Sequence, residues 1–231
     1  MKQFLLLFSF LVGNLVFAQD YLIKERFDPD NFSDVKIDTA SSNYHRLKSS
    51  WGLNTNLNED DELISVWGSN LFSISYAYDK PLFKGFHWNF GIGYNWDNYR
   101  LKSRNDMMLH DSIGHDKVKF RIQYASLNTG FRLQTSKDYL TSFYLEVNGY
   151  FNVKTFTKYT TWDKLESMKI VNSASRLSYV NPYNYGFEAK IGYGSISFYS
   201  RYRLSNIFDS ESGYRELPRL ALGITLEVGE P

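Results

Sequence analysis

The run Phe86-His87-Trp88-Asn89-Phe90-Gly91-Ile92-Gly93-Tyr94-Asn95-Trp96-Asp97 constrains this chain more than any other feature. Its even positions are large and apolar or aromatic. Its odd positions are small or polar. A period of two belongs to a β-strand with one oily face and one wet face. A tilted strand needs about 9–11 residues to cross a bilayer, and this run is long enough.

The alternation recurs along the chain. Leu47, Trp51, Leu53 and Leu57 alternate with Lys48, Gly52, Asn54 and Asn56. Phe72, Ile74, Tyr76 and Tyr78 alternate with Ser73, Ser75, Ala77 and Asp79. The opening run is the third strand. Ala125, Leu127, Thr129, Phe131 and Leu133 mark the fourth. Just before it, Val118, Phe120, Ile122 and Tyr124 alternate in the opposite phase, which predicts a β-bulge near Tyr124-Ala125. Phe143 to Val153, Tyr183 to Tyr193, Ile196 to Leu204 and Leu220 to Val228 complete a set of eight.

The connections alternate as well. Phe83-Lys84-Gly85, Ser136-Lys137-Asp138 and Gly194-Ser195 are short. The stretches 58–70, 98–117, 158–182 and 205–218 are long. An even strand count with short turns at one end and long loops at the other predicts an all-β, eight-stranded antiparallel up-and-down transmembrane β-barrel. Its short end and both termini would face the periplasm. In the 158–182 loop, Trp162, Leu165 and Met168 recur at a near-helical spacing and Thr160 precedes Asp163 by three residues. A short helix and an irregular hairpin extension both fit that loop.

The first residues read as a secretory signal. Lys2 is the basic start, Phe4 to Val16 the apolar stretch, and Val16-Phe17-Ala18 the small-residue cleavage site. The expected organisation is a signal peptide over 1–18, a periplasmic segment over 19–45 and a barrel over 46–228. That address is the outer membrane of a Gram-negative bacterium. There is no cysteine, so disulfides and thiolate metal sites are excluded. The formal net charge is only +1 and no basic stripe marks a nucleic-acid partner. Aromatics make up 18% of the chain, yet its mean hydropathy is negative. Only alternate residues of a membrane barrel meet lipid, which accommodates both.

Volume decides which face is inside. An eight-stranded interior is just wide enough to be filled by side chains or to hold one small ligand. Trp51, Phe72, Phe86, Trp88, Phe90, Trp96, Phe143, Phe151, Phe187 and Phe198 would not fit there together. Gly52, Ser73, Gly91, Gly93, Asn128, Gly130, Gly186, Gly192 and Gly223 would. The apolar face is therefore expected outward.

With this pattern the chain resembles the small outer-membrane β-barrel proteins typified by the OmpA transmembrane domain, OmpX and the PorT-like barrels. The resemblance spans roughly residues 46–228 and lies in the strand pattern. Such barrels often end on an aromatic residue read by the barrel-assembly machinery; this chain ends Leu226-Glu227-Val228-Gly229-Glu230-Pro231. The resemblance implies outer-membrane lipids and that machinery as partners.

The expected interior charges are Arg121, Arg132, Glu146, Lys154, Glu188, Lys190, Arg201, Arg203 and Glu227. Buried charges need partners, so these residues form either an ion-pair network filling the barrel or a charged constriction for small ions. His110-Asp111 and His115-Asp116 could meet a divalent metal, but a polar loop accounts for them and no metal or other cofactor is expected. The acidic run Asn58-Glu59-Asp60-Asp61-Glu62 lacks the oxygen-ligand spacing and glycine of a calcium loop. A lipid-modifying hydrolase would need a histidine oriented beside a serine; neither His45 nor His87 has that setting, and no catalytic residue is assigned. The expected role is non-enzymatic, structural or interaction-based, exercised at the cell surface through long loops that could hold a protein partner. A narrow porin-like pore, an accessory barrel of a protein secretion system and a lipid-modifying hydrolase are the alternatives.

Overall fold

The computed structural model describes residues 43–55, 64–101, 115–136, 141–165 and 168–230. The expected signal peptide, nearly all of the 19–45 segment, the acidic run at 58–62, His110-Asp111 and most of the Ser136-Lys137-Asp138 turn lie outside them.

The described residues form nine strands: β1 (Tyr44–Thr55), β2 (Asn70–Phe83), β3 (Phe86–Leu101), β4 (Lys117–Gln134), β5 (Phe143–Leu165), β6 (Met168–Ser175), β7 (Tyr183–Tyr193), β8 (Ile196–Arg203) and β9 (Leu220–Glu230). All pairings are antiparallel. Eight strands close a ring, β1-β2-β3-β4-β5-β7-β8-β9, with β9 returning to β1 through pairs from His45–Glu230 to Thr55–Leu220. Closure leaves no unpaired edge within the ring. Among the described residues no helix is long and apolar enough to cross a membrane.

β6 stands outside the ring. It pairs with the upper part of β5, from Leu165–Met168 to Lys158–Ser175. The long connection is thus a β-hairpin, and the helical spacing of Trp162, Leu165 and Met168 is incidental to it. The ring also begins earlier than the pattern suggested, since Tyr44 and His45 already pair with Asp79 and Tyr78.

The turn between β7 and β8 is Gly194-Ser195. Gly194 has φ 54°, whereas Ser195 keeps a negative φ, as a type II′ turn requires. A two-residue turn fixes the register outward from Tyr193–Ile196 through Glu188–Arg201 to Gly186–Arg203.

The phase change predicted in β4 lies one strand over. β4 keeps its even residues inward along its whole length, from Val118 to Gln134. The β4–β5 register breaks between Gln123–Phe156 and Tyr124–Lys154, leaving Thr155 as the extra residue on β5. Tyr144, Glu146, Asn148, Tyr150 and Asn152 face inward below that bulge, and Thr157, Tyr159 and Thr161 above it. The apolar residues of upper β4 therefore point into the ring, not out of it.

Their packing makes a core at the long-connection end. Tyr99 and Leu101 of β3, Val118, Phe120, Ile122 and Tyr124 of β4 and Tyr159 of β5 meet Ile64, Leu177, Val180, Ile207, Phe208 and Leu217 from the connections. Asp209 holds the last connection in shape by accepting the Glu211 N–H at the start of a 3-10 turn over Ser210–Ser212. Gly213 follows with φ 69°, the left-handed conformation glycine adopts without strain.

Candidate functional site: a charged interior

Below that apolar core the interior is ionic. Glu146 on β5 is fully buried and stands at the centre of the lower layer. Its Oε2 accepts from Arg46 at 3.0 Å and from Arg132 at 3.3 Å, while its Oε1 accepts from Lys48 at 2.6 Å and Asn148 at 2.7 Å. Glu227 on β9 takes the same two guanidinium groups, Arg46 at 2.7 Å and Arg132 at 2.9 Å. Asp79 on β2 takes the other Arg46 terminal nitrogen at 2.5 Å. The Arg132 guanidinium lies 3.4 Å over the Tyr144 ring centroid. Each buried charge here meets opposite charge from another strand, the condition under which buried ions are tolerated.

The next layer is built by the tight hairpin. Glu188 and Arg201 are directly opposite and bonded, with Nη2 at 2.5 Å and Nε at 2.7 Å from Glu188 Oε2. Lys190 lies 3.0 Å from Glu188 and 4.0 Å from Glu146, joining the two layers. Glycine makes room beside them. A Cβ on Gly52 would overlap the Tyr199 hydroxyl, and one on Gly223 would overlap the Trp51 carbonyl. Toward the long-connection end, Arg203 donates to the carbonyls of Leu217 at 2.7 Å and Pro218 at 3.1 Å and pairs with Glu216.

Of the residues singled out from sequence, Arg132, Glu146, Glu188, Lys190, Arg201, Arg203 and Glu227 lie inside the ring. Arg121 does not. It faces outward, with its Nε bonded to Asn98 at 2.9 Å. Lys154 sits at the bulge and donates to the Leu177 and Val180 carbonyls, away from the ion-pair layers. Among the described residues Arg46, Lys48, Asp79 and Asp97 are further buried interior charges. Alternation from Leu47 and Tyr78 already placed Lys48 and Asp79 on the wet face, and Arg46 follows by the same parity.

The lower interior leaves a void of about 10 Å³, the lower limit for one water. The site holds charge rather than presenting it. Histidines do not alter that. His87 is buried edge-on to Tyr44, and His115 pairs with Asp163 at 2.8 Å. Among the described residues no three metal-ligating side chains converge. In the connection above the strands, burial raises the Tyr179 hydroxyl above its ordinary range, reinforced by Tyr214 and Tyr159.

The Glu188–Arg201 pair is a test of this interior. Removing one partner of a buried pair costs about 3–5 kcal/mol. Glu188→Gln and Arg201→Gln should each lower the unfolding midpoint in denaturant. The double variant should lose less than the sum; additive losses would mean the two do not interact.

A comparison with protein-family models and with curated proteins finds no match for this chain.

Proposed function

We propose that the protein is an outer-membrane β-barrel with a closed, ion-paired lumen, and that its role is non-enzymatic and exercised through its outer loops. One observation carries this reading: the ring is inside-out relative to a water-soluble protein. Its lower interior is charged, while every ring strand exposes large apolar side chains on the outside. Trp51, Tyr76, Ile92, Leu127, Phe151, Phe187, Phe198 and Ile224 are all more than 40% exposed. A belt of that extent is far beyond the apolar patches of soluble monomers and matches lipid contact. Cross-strand aromatic pairs strengthen it, among them Phe86 with Phe131 at 5.3 Å and Phe143 with Tyr193 at 4.6 Å between centroids.

On this reading the short turns face the periplasm, and the 98–117 and 158–182 connections meet the exterior. Delivery runs through a signal peptide over 1–18 and the barrel-assembly machinery. The packed interior argues against the pore alternative.

The test is a gel. Protein refolded in detergent should migrate differently before and after boiling, because a closed barrel resists detergent unfolding. In a planar bilayer it should give no single-channel steps. Identical mobility with and without boiling would overturn the membrane reading; regular conductance steps would overturn the closed lumen.

A further inference from the structure

The outward face of the sheet, β6 included, changes character above the aromatic level of Tyr94 and Trp96. On β3, β4, β5 and β6 it turns basic, and its cations stand opposite one another. Arg100 pairs in register with Lys119, Arg121 with Lys158, and Lys164 with Lys169. Cross-strand partners share a face, and like charges directly opposite destabilise a sheet. Lys117 extends the row. Among the described residues none of these cations forms an ion pair, and no acid occupies this face of the four strands. The nearby Asp163 is engaged by His115 and by the Asp116 N–H, and Asp116 accepts the Lys164 N–H. A groove of about 450 Å³ lies against the row; Arg100, Lys117, Lys119, Lys164 and Lys169 line it with Trp162, and Asp116 and Asp163 line it too. The outward residues at the long-connection ends of β7, β8 and β9 are Tyr183, Tyr185, Tyr202 and Leu220 instead.

We infer that this face is a binding site for phosphate-bearing lipid headgroups of the surrounding leaflet. The inference rests on the membrane reading above. Charge complementarity selects the ligand: repelling cations kept in register are stabilised by a multivalent anion set between them. Continuity selects the source. The row begins at Asn98–Arg121, the next outward-facing pair beyond Trp96–Gln123, where an apolar belt gives way to the headgroup layer. A lipid anchored in that belt brings its phosphate to this height without further ordering.

Full-length protein refolded in phosphatidylcholine micelles doped with phosphatidylglycerol provides the test, with bound lipid counted by native mass spectrometry. Wild type should retain phosphatidylglycerol in preference to phosphatidylcholine. Lys119→Gln with Arg121→Gln should weaken retention roughly fivefold for each charge removed. In pure phosphatidylcholine the same variant should unfold no earlier than wild type, because repulsion has been relieved; this separates lost binding from lost folding. Equal retention of both lipids by heat-modifiable wild type would overturn the site while leaving the barrel intact. Protein that is never heat-modifiable would overturn both. If inorganic phosphate raises the unfolding midpoint as much as phosphatidylglycerol, the occupant is a soluble anion and the proposal fails. It also fails if E59Q, D60N, D61N and E62Q together cost the stability expected of losing an anion from this face, since the occupant is then the chain's own acidic run.

Discussion

Glu146→Gln should be the most damaging single substitution in the interior. The amide keeps the shape of the carboxylate and removes its charge. Arg46, Lys48 and Arg132 would then share only Glu227 and Asp79, with Lys190 held by Glu188. Leaving buried charge uncompensated costs about 3–5 kcal/mol. Urea unfolding of the refolded protein in micelles, followed by tryptophan fluorescence, should show that loss, whereas Lys84→Gln in an exposed turn should stay within about 0.5 kcal/mol. A loss from Glu146→Gln no larger than the Lys84→Gln effect would mean that the lower layer holds itself together without its central carboxylate.

Ile92→Arg should show the opposite side of the same design. Ile92 is 53% exposed and stands midway between Trp88 and Trp96 on the outer face of β3. Eight residues of strand span roughly 27 Å, about 20 Å of height at the tilt of a barrel strand, most of a lipid-facing belt. Arginine at the middle of such a belt costs about 2–4 kcal/mol in a bilayer. A water-soluble ring would tolerate it, because a half-exposed isoleucine gains nothing from staying apolar. Unfolding in vesicles therefore discriminates: a clear loss supports lipid contact at Ile92, and an unchanged midpoint removes it.

The register of the tight hairpin was legible from two residues. Gly194-Ser195 fixes parity, and parity fixes every partner from Tyr193–Ile196 to Gly186–Arg203. Alternation likewise placed Glu146, Glu188 and Glu227 on the wet face. What it did not supply was distance around the ring. Arg46 meets Glu146 from 100 residues away and Glu227 from 181, and no local pattern encodes such pairings.

The larger failure was in upper β4. Val118, Phe120, Ile122 and Tyr124 alternate as cleanly as the outward-facing residues below them, and period two says nothing about which side is inside. The change from polar to apolar interior depends on connection residues such as Ile207, Phe208 and Leu217, which have no period at all. The phase flip is visible in the sequence of β4, but the bulged residue is Thr155 of β5. A bulge is a mismatch between two strands, and the extra residue was on the partner.

Thr155 is to β5 what an inserted base is to a reading frame. Two messages are written in tandem along one strand. The lower one offers Glu146 and Asn148 to the ion pairs, and the upper one offers Tyr159 to Phe120 while Lys158 looks away. Losing that residue would exchange the faces of everything above it, setting an ammonium group among phenyl rings and turning a phenol outward. Chain length at this point is specified as strictly as any side chain, and an insertion tolerated in the connections would be a frameshift here.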